Sequence, residues 1–366
     1  MPPTRPDMCM RLHFHKLLVA RARNAVIALG LALSVVVTAV PVHAQPVAPS
    51  EIDILKGIPW KFLSDVAETV IPTPDGANGF NRGHGWTNVT EQKVTDRLID
   101  AAVVQRNPAL VSKMLLVANY AFAHQASDGG FPAPNLTPVQ EAGSSAFFIR
   151  DIAHSLLLLR QSSWFQQSAS TASLRASVSG LEPKVQLGLT YLMNHQSELR
   201  SDTGGANRLV VYAGAYYLAG KLLGKSDAMD VGRSFLDEAF SHQSSDGSFL
   251  ELGGFDSSYQ NVSLYEAQVI YVQMAADDSM RGTLWQAISR GYSREAPSVQ
   301  TTGELSSLNN TRIGAQSISA QHGGPAHAID GIAAGLAFSY YAGITNDAAA
   351  KQRAALVLSY YFKIPS

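Results

Sequence analysis

Cysteine is nearly absent. The 366 residues hold one, Cys9, inside an N-terminal segment expected to be removed, so the remaining chain offers no thiol for a disulfide, a thiolate zinc cage, an iron-sulfur cluster or a cysteine nucleophile. Charge is scarce too: 16% of residues are Asp, Glu, Lys or Arg, against about a quarter in an ordinary soluble domain. Neither sign dominates, with 28 basic and 29 acidic side chains, and so even a balance gives no electrostatic footprint for nucleic acid. Also missing are Gly-x-Ser-x-Gly, Ser-x-x-Lys, His-Glu-x-x-His, Gly-x-x-x-x-Gly-Lys and Gly-x-Gly-x-x-Gly. Serine-hydrolase, zincin and nucleotide chemistry are therefore not expected.

What is present begins with an export signal. Arg5, Arg11, Lys16, Arg21 and Arg23 precede an apolar run over 25–42, and Val42-His43-Ala44 supplies the small-x-small pattern of a cleavage site. The run is about long enough to span a bilayer, but the small residues and the polar stretch that follows predict cleavage after Ala44. The mature chain then carries a formal charge of about −5, because five basic residues and Asp7 leave with the signal. It is expected to work in the periplasm or outside the cell, as a monomer with no membrane contact.

Apolar residues recur at spacings of three and four, and alternating runs are scarce. The pattern predicts helices over 91–105, 108–124, 144–161, 183–195, 207–223, 227–242, 258–275, 281–292, 326–341 and 348–362, hence an all-α domain from 91 to 366. Segment 45–90, with Pro72, Pro74 and several glycines, reads as an irregular N-terminal arm. A repeat sharpens the architecture. His124-Gln125-Ala126-Ser127-Asp128-Gly129-Gly130-Phe131 returns 118 residues later as His242-Gln243-Ser244-Ser245-Asp246-Gly247-Ser248-Phe249, with a partial echo from His195 to Gly205. Asp-Gly supplies a helix stop and a tight turn, and the Phe folds back on the helix just ended. Repeated helix-turn units predict stacked helical hairpins, since one hairpin cannot bury its apolar face alone.

A helix ending in Gln-x-x-Asp-Gly-Gly-Phe resembles the turn of α/α-toroid proteins, a group that includes terpene cyclases, glycoside hydrolases and polysaccharide lyases. The segment Gly253-Gly254-Phe255-Asp256-Ser257-Ser258-Tyr259-Gln260-Asn261-Val262-Ser263-Leu264 is similar to the tyrosine-bearing segment of toroid uronate lyases such as alginate and glucuronan lyases. The resemblance implies an α/α toroid, an incomplete barrel of helical hairpins, acting on an acidic polysaccharide. It makes Tyr259 the catalytic acid or base. Asn207, 52 residues before it, and Arg312, 53 residues after it, follow the order in which such lyases place their carboxylate-neutralising groups. A histidine usually completes the set; none directly precedes Tyr259 apart from His242, which belongs to the turn repeat, so His84 and His322 compete for that role.

The chemistry itself makes matching demands. Cleaving a uronate polymer by β-elimination requires that the carboxylate be neutralised, that a base remove the C5 proton and that an acid protonate the departing O4. Tyrosine can serve once a nearby cation favours its phenolate. Asn81, Arg82, Trp86, Arg208, Gln260 and Asn310 are candidate substrate-binding residues, because Arg and Asn bind carboxylates and hydroxyls while aromatic faces lie against sugar rings. No cofactor is expected, and no metal site: His322 and His327 are five apart with a proline between them and no carboxylate motif beside them. His124, His195 and His242 read as caps at helix ends, and His154 and His327 as core histidines. Two alternatives stay open, a toroid glycoside hydrolase using Asp128, Asp246, Glu251 or Asp256, and a glycan-binding protein without catalysis.

Overall fold

The computed structural model describes residues 45–77, 86–202, 205–251, 254–311 and 328–365. The expected signal segment lies outside them. Among the described residues the chain is all-α, with no strand and only isolated bridges such as that between Gln243 and Phe249.

Over residues 51–68 the expected irregular N-terminal arm is helical. It carries α1 (Glu51–Gly57), capped by the Ser50 side chain, and α2 (Trp60–Glu68), entered through Pro59. Ile54, Leu55, Phe62, Leu63 and Val66 lie in the hydrophobic core. The prolines that suggested an arm stand before or after these helices, where a missing N–H costs nothing. A 3₁₀ turn over Val89–Gln92 leads to α3 (Asp96–Gln105), α4 (Pro108–Phe122) and α5 (Pro138–Gln161). Thr137 and Gln140 close a capping box that starts α5 six residues before the apolar pattern does. Three short helices absent from the sequence reading follow or interleave: α6 (Ser163–Gln167), α7 (Ala172–Ser179) and α9 (Gln196–Arg200), with α8 (Glu182–Asn194) between the last two. The remainder are α10 (Ala206–Leu223), α11 (Ser226–Ser241), α12 (Ser257–Gln273), α13 (Arg281–Glu295), α14 (Gly331–Thr345) and α15 (Ala348–Phe362).

Packing follows an alternation. Helices α3, α5, α10, α12 and α14 contact one another in that succession, while α4, α8, α11, α13 and α15 each pack on a member of that row. Helix α1 touches α3, α5, α12 and α14 together. The helices of that row are accordingly buried around most of their circumference, α10 and α12 above all.

The Asp-Gly repeat is a staple between hairpins. In the first copy Ala126 N donates to Gly130 O, Asp128 accepts from Gly130 N, and Gln125 Nε2 donates to Gly129 O and to Lys184 O. The second copy makes the same bonds through Ser244, Asp246 and Gln243, the last reaching Ala287 O. Gly129 and Gly247 adopt φ of 98° and 94°, and a Cβ on either would lie 2.1 or 2.2 Å from a carbonyl oxygen of α8 or α13. Only glycine fits there. The same turn occurs at 73–77 and 300–304, where Gly76 and Gly303 press on carbonyls of α4 and α15. Phe131 and Phe249 are fully buried, as the repeat predicted.

Candidate functional site

A cleft of about 740 Å³ opens where α3, α5, α10, α12 and α14 converge. Helix α12 presents one stripe to it: Tyr259, Val262, Tyr265 and Glu266. Spacings of three and seven put these on one face, with Glu266 roughly 10 Å along the axis from Tyr259. The stripe is aimed by the start of the helix, where Asp256 accepts from Ser258 N and Tyr259 N at 2.9 and 3.2 Å.

Three of the residues expected at a site meet in this cleft: Tyr259, Asn207 and Arg208. Asn207 is buried at the start of α10, its backbone N–H held by Glu251 at 3.1 Å while its side-chain Oδ1 has no hydrogen-bond partner among the described residues. Arg208 is half-exposed and donates from Nη1 to both oxygens of Asp202, at 2.9 and 2.8 Å. Asp202 also accepts from the hydroxyl of Tyr212.

Three others are elsewhere. Gln260 is fully buried and satisfies the backbone, accepting from Phe249 N and donating to Gly247 O and Gly291 O. Asn310 accepts from Ser257 N and steadies the start of α12. Trp86 donates to Pro132 O and stacks on His124 at 4.0 Å, away from the cleft lining. Asn81, Arg82, His84, Arg312 and His322 lie outside the described residues. Of the carboxylates weighed for hydrolysis, Asp128 and Asp246 shape turns and Asp256 caps α12, while Glu251 lines the cleft. His124 and His195 do bond through Nδ1 to helix-end carbonyls, those of Tyr120 and Tyr191.

The floor of the cleft is a charged network that sequence reasoning missed. Arg150, 1% exposed, pairs with Asp96, reaches Asp151 Oδ1 at 3.0 Å, and approaches Glu266 Oε2 to 2.5 Å without hydrogen-bond alignment. Behind it His154 bonds to Asp96 Oδ2 at 3.2 Å and to Glu51 Oε1 at 2.8 Å. Glu51 accepts further from Tyr340 and Gln273. Burial opposes the charged imidazolium, but Glu51 and Asp96 overcome it and raise His154 to about 10. Burial also acts against Asp96, yet Arg150 and His154 hold it well below the usual carboxylate range. Three other carboxyls go the other way. Burial drives Asp100 well up, and lifts Asp151 to about 6, with help from the charge on Asp96, and Glu266 to about 7, with Arg150 restraining the rise. The cleft floor thus holds two carboxyl groups able to give or take a proton near neutrality. A signal for this existed: Arg150, Asp151 and His154 interrupt an otherwise apolar helix, and charges are rarely buried unless paired.

Among the described residues no group of three or more His, Cys, Asp or Glu is arranged to hold a metal ion, and no helix is long and apolar enough to cross a membrane. Comparison with family models, curated proteins and solved structures finds no match to this chain.

Proposed function

We propose that the protein is an exported α/α-toroid lyase that cleaves a uronate-containing polysaccharide, such as alginate or glucuronan, by β-elimination. The paired inner and outer helices and the four staple turns support the toroid. The observation that carries the chemistry is that Tyr259 lines one cleft with Asn207 and Arg208, an adjacent pair that begins 52 residues before it in the chain. In this reading the amide and the guanidinium draw charge from the sugar carboxylate, which acidifies the C5 proton, and the Tyr259 phenol exchanges protons with C5 or O4 as the C4–O4 bond breaks. The test is incubation of alginate, glucuronan, hyaluronan and pectate with the protein. An ultraviolet-absorbing unsaturated product is expected, and Tyr259→Phe should abolish it. No such product from any of the four, or full activity in the variant, would sink the proposal.

A second reading has its own support. Seven carboxyls line the cleft against four cations, and burial lifts one of them, Glu266, to about 7, so that it can hold a proton at neutral pH as the general acid of glycoside hydrolysis must, beside carboxyls that can stay ionised. Hydrolysis releases reducing ends without a new double bond, so the same incubations separate the two readings.

A further inference from the structure

Arg208 is held in an unusual way for a half-exposed cation in a cleft. Both of its hydrogen bonds to Asp202 leave from Nη1, so the edge formed by Nε and Nη2 is not taken up by that carboxylate. Asp202 is itself fixed from the other side, since its Oδ2 also accepts the Tyr212 hydroxyl. Burial, reinforced by that bond, pushes the Tyr212 phenol well above its ordinary range, so it stays a donor. Tyr212 is buried on α10, one turn beyond Arg208, with its ring set edge-on to Phe147 and Phe235. The three hydrogen-bonded side chains form a clamp, and all of them line the same cleft as Tyr259.

We infer that Asp202 and Tyr212 are positioning residues, which present the Nε–Nη2 edge of Arg208 to a carboxylate of the ligand. This rests on the reading of the cleft as a site for acidic sugars and identifies what orients the acid. A guanidinium edge accepts both oxygens of a carboxylate at once, and the benefit depends on its being aimed beforehand. The alternative role for Asp202 is that of a competitor, an internal anion that occupies Arg208 and weakens external ones. The two roles predict opposite signs. Removing the charge from a competitor tightens acid binding, whereas removing a positioning group loosens it.

Calorimetric binding of short oligoglucuronate and oligomannuronate, with their carboxyl-reduced counterparts as controls, decides between them. The measurements are made in the Tyr259→Phe background so that turnover does not intervene. Asp202→Asn and Tyr212→Phe should each weaken binding of an acidic oligomer, Asp202→Asn by about tenfold, the scale of a charge-assisted contact. Binding of the reduced oligomers should change little, and thermal unfolding should show both variants folded. Unchanged or tighter acid binding in Asp202→Asn overturns the clamp, as does an equal loss for reduced and acidic oligomers, or failure of both acidic oligomers to bind. If acidic oligomers bind and Asp202→Asn weakens them while no polymer yields an unsaturated product, the clamp stands and the elimination chemistry alone falls.

Discussion

Replacing Glu51 by glutamine removes one negative charge from the knot in which α1, α5, α12 and α14 meet. Glu51 is 1% exposed, and its oxygens accept from His154, Tyr340 and Gln273. His154 is held at about 10 in the folded protein, against about 6.5 in an unfolded chain, a difference equivalent to roughly 5 kcal/mol of preference for the imidazolium. Because the folded value is raised, this stabilisation is complete below about pH 6.5 and disappears as pH climbs through about 10. Asp96 supplies part of it, so the variant keeps some. Removing one partner of a buried pair costs about 3–5 kcal/mol, and the new amide must also point a donor at groups that already donate. At neutral pH Glu51→Gln should therefore lose about 3–5 kcal/mol, which for an m value of about 3 kcal/mol/M moves the urea midpoint down by more than about 1 M. Urea titrations followed by tryptophan fluorescence from about pH 6 to 10 measure this. The deficit should shrink toward alkaline pH, where His154 is neutral in both proteins. A deficit below about 1 kcal/mol at neutral pH, or one equally large at about pH 10, refutes the reasoning.

Two further changes probe the floor and the staples. Glu266→Gln should eliminate the part of the cleft's activity profile that turns between about pH 6 and 8, and it should also alter stability. A carboxyl raised from its ordinary 4.5 to about 7 destabilises the parent progressively as pH rises from about 4.5 to about 7, by roughly 3 kcal/mol in all. The variant should lack that decline, and parallel denaturation at about pH 5 and 8 reveals whether it does. Gly129→Ala and Gly247→Ala each place a Cβ about 2 Å from a carbonyl oxygen at positive φ. Each should cost about 2 kcal/mol or more in thermal unfolding. Gly57→Ala, in helix α1 with nothing within 4 Å of its new Cβ, should be neutral or gain up to about 1 kcal/mol.

The helices were legible because burial on one side writes itself into sequence at spacings of three and four. All ten expected segments correspond to helices, with their ends displaced by a few residues where caps such as Thr137 or Asp330 decide the start. Helices α1 and α2 escaped because seven and nine residues hold too few turns for a period to emerge, and because Pro72, Pro74 and the glycines of the segment read as breakers. The staple turn was half legible. Its geometry needs a glycine at one position and tolerates variety around it, so Gln125 to Phe131 and Gln243 to Phe249 look alike while Thr73 to Ala77 and Gln300 to Glu304 do not.

At the site, Gln260 and Asn310 were ambiguous for a related reason. An amide in a polar loop has the same letters whether it faces a ligand or satisfies buried backbone, and Gln260 and Asn310 do the second. Buried backbone groups must find partners, so a polar residue flanking a helix start is as much needed by the fold as available to chemistry. The informative anomaly runs the other way, in charges embedded among apolar residues. Arg150, Asp151 and His154 sit in the helix that also contributes Phe148, Ile149 and Ile152 to the core, and Glu266 sits in one nearly as apolar. Removing such groups from water is costly unless each has a partner. Their presence on helices as far apart in the chain as α5 and α12 therefore predicts that those helices face one another across a shared interior, and the cleft, which both line, is where that interior reaches solvent.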